Sequence, residues 1–452
     1  MPAKLLVLLF ALLLSACAVK RESLPLAACQ LATEPVTVDI PGYRPGLAAP
    51  QAGNLSPYSD ALAQRLATAA LARSLSQPQS TDGVTEIRQL ILSGGGEWGS
   101  FGTGFFHGWA RRQSDTLPRF DGVTGVSTGA LQATFAFLGR EPPKADRSFP
   151  TKEDFPAGWS TSADRRFDVD DLVAGYSITR PDTLYRDRGT MGIIRRAAMG
   201  DLDPLARRMK YLVTRDTLMA VKREGADNRV LKVALVNWDT GQAVAVDMTA
   251  LAAQLRDDSA NLEAVQHCYI QVLLAASSET LGMPPVRIGE LGLDPKRDNN
   301  KREALYFDAG VRFGVFADDT RAAGRRAAQI VETQTRQPTR AVTYIIANND
   351  LAVLPSRSDE RAKWNLLDLA GRGRHILVNQ VYLFSVERIF AAKDSPTEQV
   401  RFAYVRASDI EPCEKDRAED EKTWGKKSFH PQFMKCLMRK GEERAGAWDW
   451  DH

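Results

Sequence analysis

Histidine and cysteine are scarce in this chain, whose 452 residues contain five of each. The histidines form no cluster and no two cysteines have a C-x-x-C spacing, so the sequence predicts no metal site. We also expect no cofactor. An excess of charge is missing as well, since 59 basic residues face 56 acidic ones and the net charge is +3. A nucleic-acid partner requires a strongly basic surface, so this balance argues against one.

Long apolar runs are rare too. The run at residues 5–14 is too short to span a bilayer as a helix. It leads into Leu14-Ser15-Ala16-Cys17, which resembles the lipobox of bacterial lipoproteins. We therefore expect a signal peptide at residues 1–16, lipidation of Cys17 and a flexible tether over residues 17–60. Ala18 stands where Asp would retain a lipoprotein at the inner membrane, which favours anchoring on the periplasmic side of the outer membrane.

The other four cysteines have different surroundings. Cys413 and Cys436 lie in one polar stretch and are candidates for a disulfide, which the periplasm permits. Cys268 lies in an apolar helical run, which favours a buried thiol. Cys29 lies in the tether, where it can remain free.

The rest of the chain alternates between strand and helix patterns. A helical lead-in at residues 61–86 precedes the first strand, and one helix is expected at 210–223. Apolar strands at 230–237 and 243–248 flank a hairpin signal, and residues 140–165 form a candidate surface loop. The alternation predicts an α/β fold with a mainly parallel central sheet and helices on both faces.

Ser127 lies in the pentapeptide Gly125-Val126-Ser127-Thr128-Gly129, between an apolar strand and a helical run. Strand, G-x-S-x-G, helix is the context of a nucleophile elbow. Side chains at Gly125 or Gly129 would collide with a neighbouring strand or helix. The pentapeptide therefore predicts a strained turn that exposes the Ser127 hydroxyl at a helix N-terminus.

A glycine loop precedes this elbow by about 30 residues. Gly94, Gly95 and Gly96, with Gly99 after them, follow an apolar strand at residues 87–93 and precede a helical run. Consecutive glycines after a strand can direct backbone N–H groups at one anion, as an oxyanion hole requires.

An acidic residue ends a strand far downstream. Residues 305–307 are apolar and are followed by Asp308-Ala309-Gly310. Ligands and reacting groups gather at the carboxyl ends of strands in α/β sheets, so Asp308 is a candidate site residue.

These three motifs, in this order, resemble the patatin-like phospholipases from about residue 87 to the last hundred residues. The resemblance implies a three-layer α/β/α catalytic domain at residues 87–355, with residues 356–452 adding helices and a late strand to the same core. It implies a Ser127–Asp308 dyad, an oxyanion hole in the glycine loop at 94–96 and Gly99, and supporting roles for the elbow glycines, Ala309 and Gly310.

The resemblance also implies a membrane lipid or other acyl ester as substrate. One position departs from the family pattern, because Trp98 stands where members often carry Lys or Arg. Trp98, Phe101, Phe105 and Phe106 together form an aromatic cluster that can line an acyl-chain pocket, although helix packing is favoured for Phe105 and Phe106.

Three alternatives stay open at this point. An α/β-hydrolase triad would add His375, whose chain order is right but whose helix-like context is wrong. A dinucleotide site matches G-x-G-x-x-G at 94–99, but the next strand ends without the acid that would hold a ribose. A catalytically silent lipoprotein of the same fold is the third.

Overall fold

A computed structural model provides the structure of this chain. It describes residues 30–31, 33–35, 57–76, 83–113, 116–139, 168–189, 198–256, 258–280, 282–290, 303–349, 351, 366–391, 397–425 and 429–450. The predicted signal peptide, Cys17 and the whole of the predicted loop at 140–165 lie outside these residues. None of the described helices is both long and apolar enough to cross a membrane.

The strands, in chain order, are β1 (Gln30–Leu31), β2 (Thr33–Pro35), β3 (Thr85–Leu92), β4 (Gly122–Gly125), β5 (Arg186–Asp187), β6 (Gly200–Asp201), β7 (Val230–Asn237), β8 (Ala243–Asp247), β9 (Val286–Glu290), β10 (Glu303–Asp308), β11 (Thr339–Ala347) and β12 (Glu398–Tyr404). The helices are α1 (Pro57–Ser76), α2 (Gly99–Arg112), α3 (Thr128–Phe137), α4 (Asp168–Tyr176), α5 (Asp203–Leu212), α6 (Arg215–Ala226), α7 (Met248–Ala253), α8 (Ser259–Ala276), α9 (Asp318–Thr335), α10 (Leu366–Ala391), α11 (Ala407–Ile410), α12 (Glu414–Trp424) and α13 (Pro431–Gly446).

Ten of the described strands form one sheet, whose main path is β1-β9-β10-β7-β4-β3-β11-β12. Strands β7, β4, β3, β11 and β12 run parallel. Strand β10 is antiparallel to β7 and β9, and β8 forms the predicted hairpin with β7. The prediction of a mainly parallel sheet is confirmed.

Strand β7 brings the ends of β4 and β10 together. Strand β4 pairs with residues 230–233 of β7 and β10 pairs with residues 235–237. Strand β8 pairs with residues 232–236, so it overlaps both and must occupy the opposite edge of β7. Strands β4 and β10 therefore share one edge, and their carboxyl ends meet opposite Val233 and Leu235.

Helices cover both faces of the sheet. Ile87 of β3 belongs to a core cluster with α1 and α9, whereas Leu90 and Leu92 belong to the main cluster with α2, α3, α8 and α13. A central parallel strand buried on both faces is apolar almost throughout, which explains the continuous apolar pattern of β3. The predicted helices on both faces are confirmed.

The C-terminal part joins the same core. Strand β12 extends the sheet beside β11, and its buried Glu398 accepts hydrogen bonds from Arg321 of α9 at 2.7 and 3.0 Å. A disulfide joins Cys413 to Cys436, with 5.6 Å between the Cα atoms. The connection lies between the turn before α12 and helix α13.

Three expectations differ from the structure. The segment predicted as a flexible tether contains β1 and β2, which pair with β9 and β8, so less of it is available as a linker. Cys268 is disulfide-bonded rather than a free buried thiol. The helix expected at 210–223 is two helices, because Thr214 begins α6 with a capping box closed by Thr217.

Candidate active site

Ser127 occupies a strained turn between β4 and α3. Its backbone has φ 52° and ψ −125°, a region that costs a non-glycine residue about 1–3 kcal/mol. A β-carbon on Gly129 would lie 2.5 Å from the carbonyl oxygen of Ser93, and one on Gly125 would lie 2.4 Å from that of Gly129. Only glycine permits such close approach at these two positions, so the turn depends on both.

Asp308 lies at the end of β10 and meets Ser127 across the junction of β4 and β10. The Ser127 side chain lies beside its carboxylate, and the Gly310 amide donates a hydrogen bond to Asp308 Oδ1 at 2.8 Å. Burial raises the pKa of Asp308 to about 7, although Ser127 and the Gly310 amide, as hydrogen-bond donors, oppose the rise. A carboxylate with such a pKa is a far better proton acceptor near neutral pH than an exposed aspartate.

The glycine loop lies beside Ser127, and its four glycines differ in what their amides contact. The Gly94 amide donates to the Gly314 carbonyl at 3.4 Å, and the Gly99 amide donates to carbonyls of its own turn. Within the described part of the chain, the amides of Gly95 and Gly96 donate to no acceptor. Only these two of the four predicted donors are therefore available for an oxyanion.

Gly95 and Gly96 are both held at positive φ, 155° and 58°. A β-carbon on Gly95 would lie 1.6 Å from the Asn348 carbonyl oxygen. Gly95 therefore packs directly against the end of β11, where no other residue fits. Gly99 has a packing role instead, because a β-carbon there would lie 2.2 Å from the Thr128 hydroxyl.

A charge cluster from the C-terminal helices holds the glycine loop. The buried Glu97 accepts hydrogen bonds from Arg417 at 3.2 Å and from the His430 amide at 2.9 Å, and its Oε2 lies 2.8 Å from His430 Nδ1. The Arg417 guanidinium lies 3.8 Å from the Phe433 ring centre and 5.7 Å from that of Trp98. We call Glu97, Arg417 and His430 the loop clamp.

The loop clamp places a cation beside Trp98. In the family that the motifs resemble, this loop position often carries Lys or Arg. Here it carries an aromatic ring, and the Arg417 guanidinium of α12 lies against that ring. Burial opposes protonation of His430, but its hydrogen bond to Glu97 and the charge of Glu97 raise its pKa above the usual value. The sequence offered one signal for this cluster, namely a glutamate inside a glycine loop, which needs a partner when buried.

Tyr382 of α10 is a site residue that no motif revealed. Its hydroxyl and the Ser127 β-carbon lie 1.9 and 2.9 Å from the point that a β-carbon on Gly94 would occupy. The hydroxyl also lies 3.5 Å from the corresponding point on Gly310, where Asp308 Oδ1 lies at 3.2 Å. Burial and the charge of Asp308 raise the pKa of Tyr382 well above 10, so the hydroxyl remains a hydrogen-bond donor.

His375 does not complete a triad. It is exposed on α10, and its Nδ1 lies 3.4 Å from an Arg372 nitrogen. The Asp308 carboxylate accepts a hydrogen bond from the Gly310 amide and lies beside Ser127. The imidazole lines the cavity but does not contact Asp308. This geometry argues against the triad alternative, as the helical context of His375 in the sequence did.

A cavity of about 530 Å³ opens from Ser127 and Asp308. Ser127, Asp308, Gly95 and Gly96 line it, and its walls are mainly apolar. The apolar lining includes Leu131, Phe135, Leu172, Leu202, Leu205, Met209, Leu212 and Met283. This volume lies in the usual range for sites that enclose small molecules.

The predicted aromatic cluster divides between the cavity and the core. Trp98 lines the cavity. Phe101, Phe105 and Phe106 are fully buried in the main core cluster, away from the cavity lining. Helix packing, favoured for Phe105 and Phe106, holds for Phe101 too.

The family model for patatin-like phospholipases matches residues 90–320, just over half of the chain. The chain belongs to this family, and its mixed, mostly parallel sheet between helical layers is the three-layer α/β/α arrangement expected for it. Family membership makes it a lipid acyl hydrolase in general, acting on lipid esters.

Among solved structures, the chain is similar to VipD from Legionella pneumophila. The two are 13% identical, the alignment covers 78% of this chain and 67% of VipD, and the TM-score is 0.26. No curated protein matches the chain.

Proposed function

We propose that the chain hydrolyses carboxylic esters of lipids through an acyl-enzyme, with Ser127 as nucleophile and Asp308 as general base. Ser127 Oγ attacks the ester carbonyl carbon while its proton passes to the Asp308 carboxylate. The amides of Gly95 and Gly96 stabilise the oxyanion of the tetrahedral intermediate. The C–O bond to the alcohol then breaks, and the departing oxygen takes the proton from Asp308.

Hydrolysis of the acyl-enzyme repeats these steps with water. Asp308 accepts a proton from the water as its oxygen attacks the acyl carbon, and returns a proton to Ser127 as the fatty acid leaves. One carboxylate therefore acts in both halves of the reaction, and the enzyme returns to its starting state.

One observation carries this proposal: Ser127 and the buried Asp308 lie side by side in the lining of one mainly apolar cavity. Burial supplies a base with a pKa near neutrality, and the strained turn keeps the hydroxyl at the N-terminus of α3. The apolar walls fit an acyl chain, which supports a phospholipase A-type reaction.

We further propose that Cys17 is lipidated and anchors the enzyme to the periplasmic side of the outer membrane. The lipobox-like sequence at 14–17 supports the anchor, and the Cys413–Cys436 disulfide is typical of an oxidising compartment. Cys17→Ser should leave a precursor or a soluble form in membrane fractionation. A mature, water-soluble protein with unmodified Cys17 in the wild type would remove this part of the proposal.

A fluorophosphonate probe with matched substrates tests the enzymatic function. The wild type should be labelled and Ser127→Ala should not. This result would exclude the catalytically silent alternative. Hydrolysis of a short-chain nitrophenyl ester is then compared with hydrolysis of defined phospholipids. Labelling with ester turnover but no release of fatty acid from any phospholipid would make the protein an esterase rather than a phospholipase.

A further inference from the structure

Helix α10 carries an apolar stripe that faces solvent. The side chains of Leu369, Ile376, Leu377 and Phe384 are between 44% and 69% exposed. Their separations of seven, eight and fifteen residues from Leu369 place all four on one side of a helix with 3.6 residues per turn. We call these four residues the α10 stripe.

The opposite side of the same helix completes the active site. Val378, Asn379 and Tyr382 line the cavity, and Tyr382 and Asn379 are buried. A helix that is apolar on both sides is normally buried on both. Here the inner side covers the catalytic groups, whereas the four apolar side chains of the outer side stay between 44% and 69% exposed.

We propose that the α10 stripe is the surface by which this enzyme binds a lipid bilayer. The proposal rests on the proposed function, since an enzyme that hydrolyses bilayer lipids must reach them at the membrane surface. Contiguous exposed apolar side chains on a protein surface mark interaction sites.

The cavity opening makes this surface continuous with the site. Ala370 and His375 of α10 are exposed and also line the cavity, as does Met199, which is 39% exposed. The cavity therefore reaches solvent beside α10. A bilayer lying against the α10 stripe would be adjacent to this opening, and an acyl chain could enter the apolar walls without crossing much water.

The charges of α10 suit the same occupant. The helix carries three arginines, Arg372, Arg374 and Arg388, and two acidic residues, Asp368 and Glu387. Arg374 pairs with Glu279 and Arg388 pairs with Asp318 at the surface. Apolar side chains bordered by arginines are typical of helices that lie in the headgroup region of a membrane.

Hydrogen exchange of the full chain with and without vesicles tests this proposal. Ser127→Ala is used so that the lipids stay intact, and the vesicles contain phosphatidylethanolamine and phosphatidylglycerol. We expect amides of α10 to exchange more slowly with vesicles present. The exchange readout is local, so membrane binding through the N-terminus does not obscure it.

Two variants separate the apolar character of the stripe from its shape. The double variant Leu377→Gln, Phe384→Gln removes apolar surface from the stripe. Glutamine is a good helix former, so the helix should be kept. In this variant the exchange protection should disappear, and hydrolysis of vesicle lipid should fall by roughly tenfold or more. Its activity on a soluble nitrophenyl ester should stay within about twofold of the wild type. Leu377→Met with Phe384→Leu keeps the surface apolar and should behave like the wild type.

Three results would overturn the proposal. The first is unchanged exchange of α10 with vesicles. The second is a glutamine variant that hydrolyses vesicle lipid at the wild-type rate. The third is a wild-type dimer, seen by sedimentation, that this variant dissociates without any change in vesicle activity, since a second copy would then cover the stripe. If the chain hydrolyses neither ester nor lipid, the proposed function fails while the exchange experiment still decides membrane binding.

Discussion

The segment that matches the family model and the C-terminal part contribute to the site in different ways. Residues 90–320 contain Ser127, Asp308 and the glycine loop, which are the groups that would react or touch the reacting atoms. The part from 366 to 450 contributes Tyr382, Arg417 and His430, which surround those groups. The first group of residues depends on local backbone geometry at strand ends, which requires recognisable sequence motifs. The second group is positioned by helix packing, which requires no such motif.

The largest effect should come from removing either member of the dyad. Ser127→Ala and Asp308→Asn should each lower kcat by roughly 10³-fold or more with the fold intact, as measured by ester hydrolysis and circular dichroism. Because the two residues act as one unit, the double variant should be no worse than either single variant. Activity near wild type in either single variant would refute the dyad.

Gly95→Ala should come next, because its β-carbon would lie 1.6 Å from the Asn348 carbonyl oxygen and push the loop away from Ser127. We expect kcat to fall by roughly a hundredfold or more, the scale for losing an oxyanion donor. Gly83→Ala is the matched control, since Gly83 also has positive φ but has no atom within 4 Å of the added carbon. Equal losses in the two variants would mean that backbone strain, and not the loop position, is being measured.

The pH dependence of kcat/KM should follow the ionisation of the Asp308 carboxylate. Its carboxylate must be ionised to accept a proton, so kcat/KM should fall about tenfold for each pH unit below about 7. Stability should change in the opposite direction. The raised pKa favours folding while Asp308 is protonated, and this contribution is lost as pH rises from about 4 to about 7.

Thermal melts of Asp308→Asn measure that stability term. The wild type should lose stability relative to the variant by up to about 1.4 kcal/mol per pH unit over this range. A wild-type activity profile that is flat between about pH 5 and 8 would contradict the role of Asp308 as the base.

A smaller effect is expected from the loop clamp. Arg417→Met keeps the packing against Phe433 but removes the charge that faces Glu97. We expect kcat to fall roughly tenfold and the free energy of unfolding to fall by about 1–3 kcal/mol. Lys422→Met, on the exposed side of the same helix, should change neither. If Arg417→Met loses stability but keeps its kcat and its rate of fluorophosphonate labelling at a temperature well below melting, the clamp is structural only.

The smallest effect should separate two residues of α10. Tyr382→Phe removes a hydroxyl beside Gly94, Asp308 and Ser127, so kcat should fall roughly three- to tenfold, the size of one hydrogen bond. His375→Ala should change the rate less than twofold, because His375 does not contact Asp308. An inactive but folded His375 variant would restore the triad.

Much of the parallel sheet and the three motifs could be predicted because their signals are local. The glycines that permit the Ser127 turn and the loop at 94–96 can be recognised directly in the amino-acid sequence. The same holds for apolar strands such as β3 and β10. The helix break at Thr214 also had a local signal, since threonines at 214 and 217 have the spacing of a capping box.

The remaining features depend on pairing between distant segments. The sequence of β7 does not predict that β4 and β10 pair with the same edge of this strand. That shared edge nevertheless brings Ser127 and Asp308 together. Tyr382 resembles any aromatic residue of an apolar helix until α10 is placed on the loop after Asp308. The disulfide of Cys268 was missed for the same reason, because an apolar helix conceals what packs against it.

The contacts of Glu97 also set an order in time. His430 and Glu97 are 333 residues apart, so a ribosome that has just synthesised the glycine loop must add most of the chain before its partner exists. At 5–20 residues per second, that interval is on the order of 20 to 70 seconds. For that period the emerging chain carries Ser127 without the groups that hold its neighbouring loop. The site of such a hydrolase therefore stays incomplete until residue 430 has been synthesised, long after its nucleophile.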